Sequence, residues 1–104
     1  MKDELVDRIW NALRVVIDPE MGHNIVDLGF VYDIAVTNGA VRIIMTATTP
    51  GCPAIHFLQE GVANAAARVA GVRSVDIMMT FDPAWTPSRI EPSVRPSLGF
   101  AAVN

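Results

Sequence analysis

The chain has 104 residues, 51% hydrophobic and 18% charged, with a formal net charge of −3 at pH 7. That length supports one domain with its own core, and the apolar content excludes disorder for the bulk of the chain. One lysine, Lys2, and seven scattered arginines form no basic stripe, which excludes nucleic acid as the main partner.

Residues 3–17 place Leu5, Ile9, Ala12, Leu13 and Val16 on one helical face, with Asp3 as N-cap. Asp18-Pro19 ends that helix, because a residue before proline avoids the α region. Residues 18–30 form a connection with turns at Gly22 and Gly29 and a short extended segment at Ile25-Val26. Val31–Thr37 and Ala40–Thr48 read as strands joined by Asn38-Gly39, a strong hairpin signal. A two-residue loop pairs Thr37 with Ala40, Val36 with Val41, Ile34 with Ile43 and Tyr32 with Met45. The other face then carries Ala35 with Arg42, Asp33 with Ile44, and Val31 with Thr46.

Thr49 to Pro53 is a turn into a second helix, whose buried stripe is Ile55, Leu58, Val62, Ala65, Ala66 and Val69. Gly61 inside it reflects either a close backbone approach or simple tolerance, and Gly71 fits a left-handed cap. Val72–Phe81 is a third strand, parallel to the second if the two are neighbours. From Asp82 onward, four of the chain's seven prolines mark an irregular tail, with Trp85, Ile90, Leu98 and Phe100 able to pack. The order is α-β-β-α-β plus tail: an α/β (α+β) two-layer sandwich on a small mixed three-stranded sheet, one domain over 1–104. The tail, or a second copy of the chain, is expected to cover the sheet's second face at Val31, Ala35, Ile44 and Met78. The uncharged run Ile43–Gln59 is broken by threonines, Pro50, Gly51 and Pro53, so no membrane span is expected. The apolar content favours a homodimer, and a single cysteine excludes an internal disulfide and reads as a cytoplasmic chain.

That cysteine, Cys52, stands at a helix start between Gly51 and Pro53. Free N–H groups there favour a thiolate, the form that binds soft metals or attacks electrophiles. The plainer reading is a small buried residue that fills space. His56, one turn on, has the spacing to share a metal with Cys52, or is a solvated polar residue. Asp18 and Glu20 are held in a rigid turn by Pro19, which serves equally to stop the helix. Asp27 reads as a loop cap rather than a ligand. Thr46, Thr48 and Thr49 crowd the strand end that leads to Cys52, where Thr48 and Thr49 could orient the cysteine loop. No GxGxxG, Walker, HExxH, GxSxG or CxxC pattern occurs. The alternative from another class is a thiol-dependent enzyme with Cys52 as nucleophile and Asp18 or Glu20 nearby. A Cys-His-Asp hydrolase drawn from Cys52, His56 or His23, and Asp27 has no local pattern to support it.

The segments DPEMGHNIVDLGFVYDI, MTATTPGCP, GVRSVDIMMTFDPAWTP and SLGF together resemble the metal–sulfur cluster biosynthesis family, which includes SufT- and PaaD-like members. The likeness spans nearly the whole chain. It implies an accessory role in iron–sulfur cluster assembly or delivery, in which clients or assembly proteins are the partners. A PaaD-like maturation factor for a phenylacetyl-CoA oxygenase is the narrower alternative. The resemblance also implies which residues matter: Cys52 of the GCP motif as the metal or cluster thiol, Asp18 and Glu20 of the DPE motif, and the paired Thr48 and Thr49. It implies convergence of these segments on one pocket, and a cargo of iron or iron–sulfur cluster held transiently. A thiolate-held cluster wants about four cysteine ligands, and one chain offers one.

Overall fold

In a computed structural model, the structure describes residues 2–48, 51 and 54–93. Helix α1 runs Lys2–Ala12 and tightens into a 3-10 turn over Leu13–Val15. The helix therefore ends before Asp18-Pro19. Val16 is already extended, and Ile17–Asp18 (β1) pairs antiparallel with His23–Asn24 (β2) in a miniature hairpin. Backbone pairing with β2 supersedes the proline as the reason Asp18 is non-helical. The Ile25-Val26 segment is likewise turn rather than strand. The Asp3 cap lies outside the described side chains.

The main sheet has the order β3-β4-β5, with β3 at Val31–Thr37, β4 at Ala40–Met45 and β5 at Ser74–Met79. Strand β4 is central, antiparallel to β3 and parallel to β5, so the sheet is mixed as predicted. Asn38 and Gly39 both have positive φ, 52° and 84°, as a type I′ hairpin turn requires. The expected register holds from Thr37↔Ala40 to Asp33↔Ile44. It then breaks: Val31, not Tyr32, faces Met45, across a bulge between Val31 and Asp33. The bulge sends Val31 into the core and frees Tyr32, whose hydroxyl donates to the Pro83 carbonyl at 2.9 Å. A tyrosine hydroxyl facing an aliphatic core would lack that partner.

Helix α2, Ile55–Ala67, covers β5, while α1 covers β3. Between helices and sheet lie Ile9, Leu13, Ile43, Met45, Leu58 and Val62, all 2% exposed or less, each contributing about 2 kcal/mol by burial. A Cβ on Gly61 would sit 3.1 Å from the Val16 side chain, so this glycine is a close approach between α2 and the end of the first helical segment. Gly71, at φ 98°, turns the chain after α2 as expected.

Beyond β5, residues 82–93 form a strap with one 3-10 turn, Pro87–Arg89. Trp85 donates its indole N–H to the Leu28 carbonyl at 2.7 Å and meets Phe30 edge to face at 5.4 Å. Ile90 is buried, the Arg89 guanidinium lies 4.7 Å above the Tyr32 ring, and the Glu91 amide donates to the Asp27 carbonyl at 2.7 Å. The strap thus seals the end of the core beneath Phe30. Among the described residues the strap leaves Ala35 and Met78 exposed on the sheet's second face, so residues 82–93 are not the cover expected there. The reason is the anchoring of Trp85 and Ile90 near the loop before β3. Leu98 and Phe100 lie outside the described residues.

Candidate functional site

The Asp18-Pro19-Glu20 turn is built by Asp18 itself. Its Oδ1 accepts hydrogen bonds from the Glu20 amide at 2.7 Å and the Met21 amide at 3.1 Å. Its carbonyl accepts from the Gly22 amide at 2.7 Å, with Gly22 in the left-handed region at φ 68°. Proline's fixed φ suits the position after the aspartate in such a turn. A carboxylate 1% exposed is tolerated because backbone donors meet it. Asp18 therefore shapes the turn, and Glu20 is carried on its exposed side. Asp18→Ala removes both side-chain bonds and is expected to cost about 2 kcal/mol. Asp18→Asn keeps an acceptor at Oδ1 and should cost clearly less, which thermal melts of the two variants check.

Strand β4 runs on into the second sequence segment. The Thr46 amide donates to the Phe30 carbonyl at 2.8 Å, and the Thr80 amide to the Met45 carbonyl at 2.9 Å, so this strand end is held from both sides. Thr46 is fully buried and Thr48 half-buried. Thr49 and Cys52 lie outside the described residues. Gly51 between them is exposed, while Ala47 and Ala54 at the two ends of the loop are buried. After this loop, α2 presents His56 and Phe57 to solvent.

Ile17, beside Asp18, and Phe57, in the first turn of α2, line one apolar groove of about 500 Å³ together with Val15, Val16 and Gly61. Among the described site residues, Asp18, Glu20 and Thr48 are not part of its lining. Among the described residues, no three His, Cys, Asp or Glu side chains stand together as a metal-ligand set.

A polar network that the sequence reading missed joins the first helical segment to this region. Asp27 accepts from Arg14 and from Asn24 Nδ2 at 3.1 Å, and its own amide donates to Asn24 Oδ1 at 2.9 Å. His23 Nε2 stands 3.4 Å from Asp27 Oδ2. Asp27 is a loop cap, as the sequence suggested. The spacing of Asn24 and Asp27, three residues apart, could have revealed the reciprocal pair. Burial pushes the Asp27 carboxyl up, but hydrogen bonds from Asn24, Arg14 and His23 and the Arg14 charge together hold it below its ordinary 3.8. A lowered folded-state value means stability present above pH 3.8 and lost as pH falls through the folded value. Asp27→Asn is accordingly expected to lose about 1 kcal/mol at neutral pH and to flatten the melting-temperature profile on the acid side of pH 4.

Residues 6–77 match the family described as "Iron-sulfur cluster assembly protein". The chain belongs to that family. Among curated iron–sulfur relatives, an Fe-S protein maturation auxiliary factor of Porphyromonas gingivalis is 40% identical over 93 residues, covering 88% of this chain and 89% of its own. The Fe-S protein maturation auxiliary factor YitW of Bacillus subtilis is 34% identical over 100 residues, covering 95% and 98%. Among solved structures, a domain of unknown function, DUF59, from Bacillus anthracis superposes with a TM-score of 0.89 at 30% identity, covering 96% of each chain. The iron–sulfur assembly family and the α/β fold read from the sequence are thus both established. No helix among the described residues is long and apolar enough to cross a membrane.

Proposed function

We propose that this protein is a non-enzymatic cytoplasmic accessory factor that passes iron or an iron–sulfur cluster to client proteins, with Cys52 as the thiol that meets cargo or client. The observation that carries this reading is the match to the iron–sulfur assembly family over residues 6–77, a span containing every candidate site residue. In this reading Asp18 fixes the turn, Glu20 offers an exposed carboxylate, and Thr48 and Thr49 orient the loop bearing Cys52. One cysteine per chain leaves a cluster short of thiolates, so the remaining ligands come from the client or an assembly protein and the cargo is held briefly. The working unit is a homodimer. Against a thiol enzyme stand Asp27, whose carboxylate is taken up by Arg14 and Asn24, and Asp18, whose buried carboxylate accepts from two backbone amides.

Anaerobic reconstitution with ferrous iron and sulfide, followed by transfer to an apo client, tests the reading. Expected is substoichiometric cluster on the isolated protein and accelerated maturation of the client. A protein that neither takes up iron nor alters client maturation would overturn it.

A further inference from the structure

The apolar groove is open to solvent, and the side chains around it are large: Val15 is 72% exposed, Ile17 45% and Phe57 58%. Its far wall is one face of α2. Phe57, Gly61, Asn64 and Arg68 follow one another at spacings of four, three and four, which keeps them in line on a helix. Ala65 beside them adds little bulk. Glu60 borders the same face, and Arg68 closes α2 while still helical, at φ −78° and ψ −14°. Both are exposed, and neither forms an ion pair among the described residues. They lie about 12 Å apart along the axis, too far to pair within one helix.

These charges have opposite sign and sit symmetrically, four residues either side of Asn64. We infer that this face is the contact between two copies of the chain, with α2 packed antiparallel on α2 about a twofold axis at Asn64. That arrangement sets Glu60 of each copy against Arg68 of the other, twice. It also carries each Phe57 toward the Val69 end of the opposing groove. Gly61 and Ala65 leave room for the helices to approach. A surface that pairs with itself in this way is what a closed twofold dimer needs. The same apolar groove with an unrelated occupant would give no reason for the mirrored charges.

The inference rests on the homodimer stated above and adds its interface. Sedimentation equilibrium on the full chain, up to about 1 mM, measures the dimer dissociation constant. Arg68→Glu sets carboxylates face to face and should weaken the dimer about tenfold or more, as should Glu60→Arg with its facing arginines. The double variant Glu60→Arg/Arg68→Glu restores opposite charges and should return the constant to within about threefold of the parent. Circular dichroism of each variant checks that the fold is kept. A dimer indifferent to the single reversals, or one not restored by the double, overturns this interface and leaves the homodimer standing. A chain monomeric throughout overturns both. If removal of residues 94–104 makes a monomeric chain dimerise, the chain's own C-terminal segment fills the groove and the inference fails.

Discussion

Cys52→Ser is expected to abolish client maturation while leaving the melting temperature within about 3 °C of the parent, a change below roughly 1 kcal/mol. Serine keeps the size and a hydrogen-bonding group but removes the soft ligand, so iron and sulfide retained after reconstitution should fall to background. The sequence reading set Cys52 at the helix start, but α2 begins only at Ile55, with Ala54 as its N-cap. A thiol that meets cargo or client must still be reactive, so alkylation of the parent at neutral pH should outpace that of an ordinary cysteine of pKa about 8.5. Were Cys52 filling space in the core, the pattern would invert: slow alkylation, a clear loss of stability from a buried hydroxyl, and normal maturation. The alkylation rate, the melt and the client's cluster content, measured on the same two proteins, decide between these outcomes. A serine variant that melts early yet matures the client fully would refute the assignment.

Gly29→Ala is expected to cost about 3 kcal/mol, more than its single methyl suggests. Gly29 has φ 78°, a backbone region that alanine adopts only with strain. The added Cβ would overlap the Arg89 carbonyl oxygen and lie 2.7 Å from Arg89 Cβ. The nearest atoms belong largely to backbone, so no rotamer change relieves the clash and the strap must lift. Lifting it strips Phe30 of Trp85 and unpairs the Asp27 carbonyl from Glu91. Chemical denaturation reads the stability, and Trp85 fluorescence reads the strap, since its indole moves from an apolar to a wet setting. A stable variant with parental fluorescence would show that the strap's position does not depend on Gly29.

The contrast between these two substitutions reflects what the sequence could disclose. The β3–β4 hairpin was readable because alternating apolar residues and Asn38-Gly39 specify one register independently. The bulge at Tyr32 was not, since it depends on where a hydroxyl finds a partner at Pro83, 51 residues away. Pro19 suggested a helix stop, but the helix had already ended by Val15 and the residues before it entered the β1–β2 hairpin. Two-residue strands carry too little pattern to be seen. For the site, the DPE and GCP segments were visible as motifs, and the resemblance suggested their role. That Ile17 and Phe57 line one groove required knowing that Val16 packs on Gly61. The structural duty of Asp18 was hidden for a different reason: a carboxylate used to shape a turn and one used to bind a metal look alike in sequence.

The strap has a consequence for how the chain is completed. Trp85 meets Leu28 across 57 positions, and Glu91 meets Asp27 from still further along the chain. During synthesis, α1, α2 and the five strands among the described residues precede the residues that close the core beneath Phe30. Contacts this distant in sequence form late, and until they do an aromatic patch stays uncovered. A nascent chain arrested before Trp85 would hold β1 to β5 yet leave Phe30 open to chaperones and proteases. Sealing thus waits until Trp85 and Ile90 have been made, and Phe30 is the ring left uncovered until then.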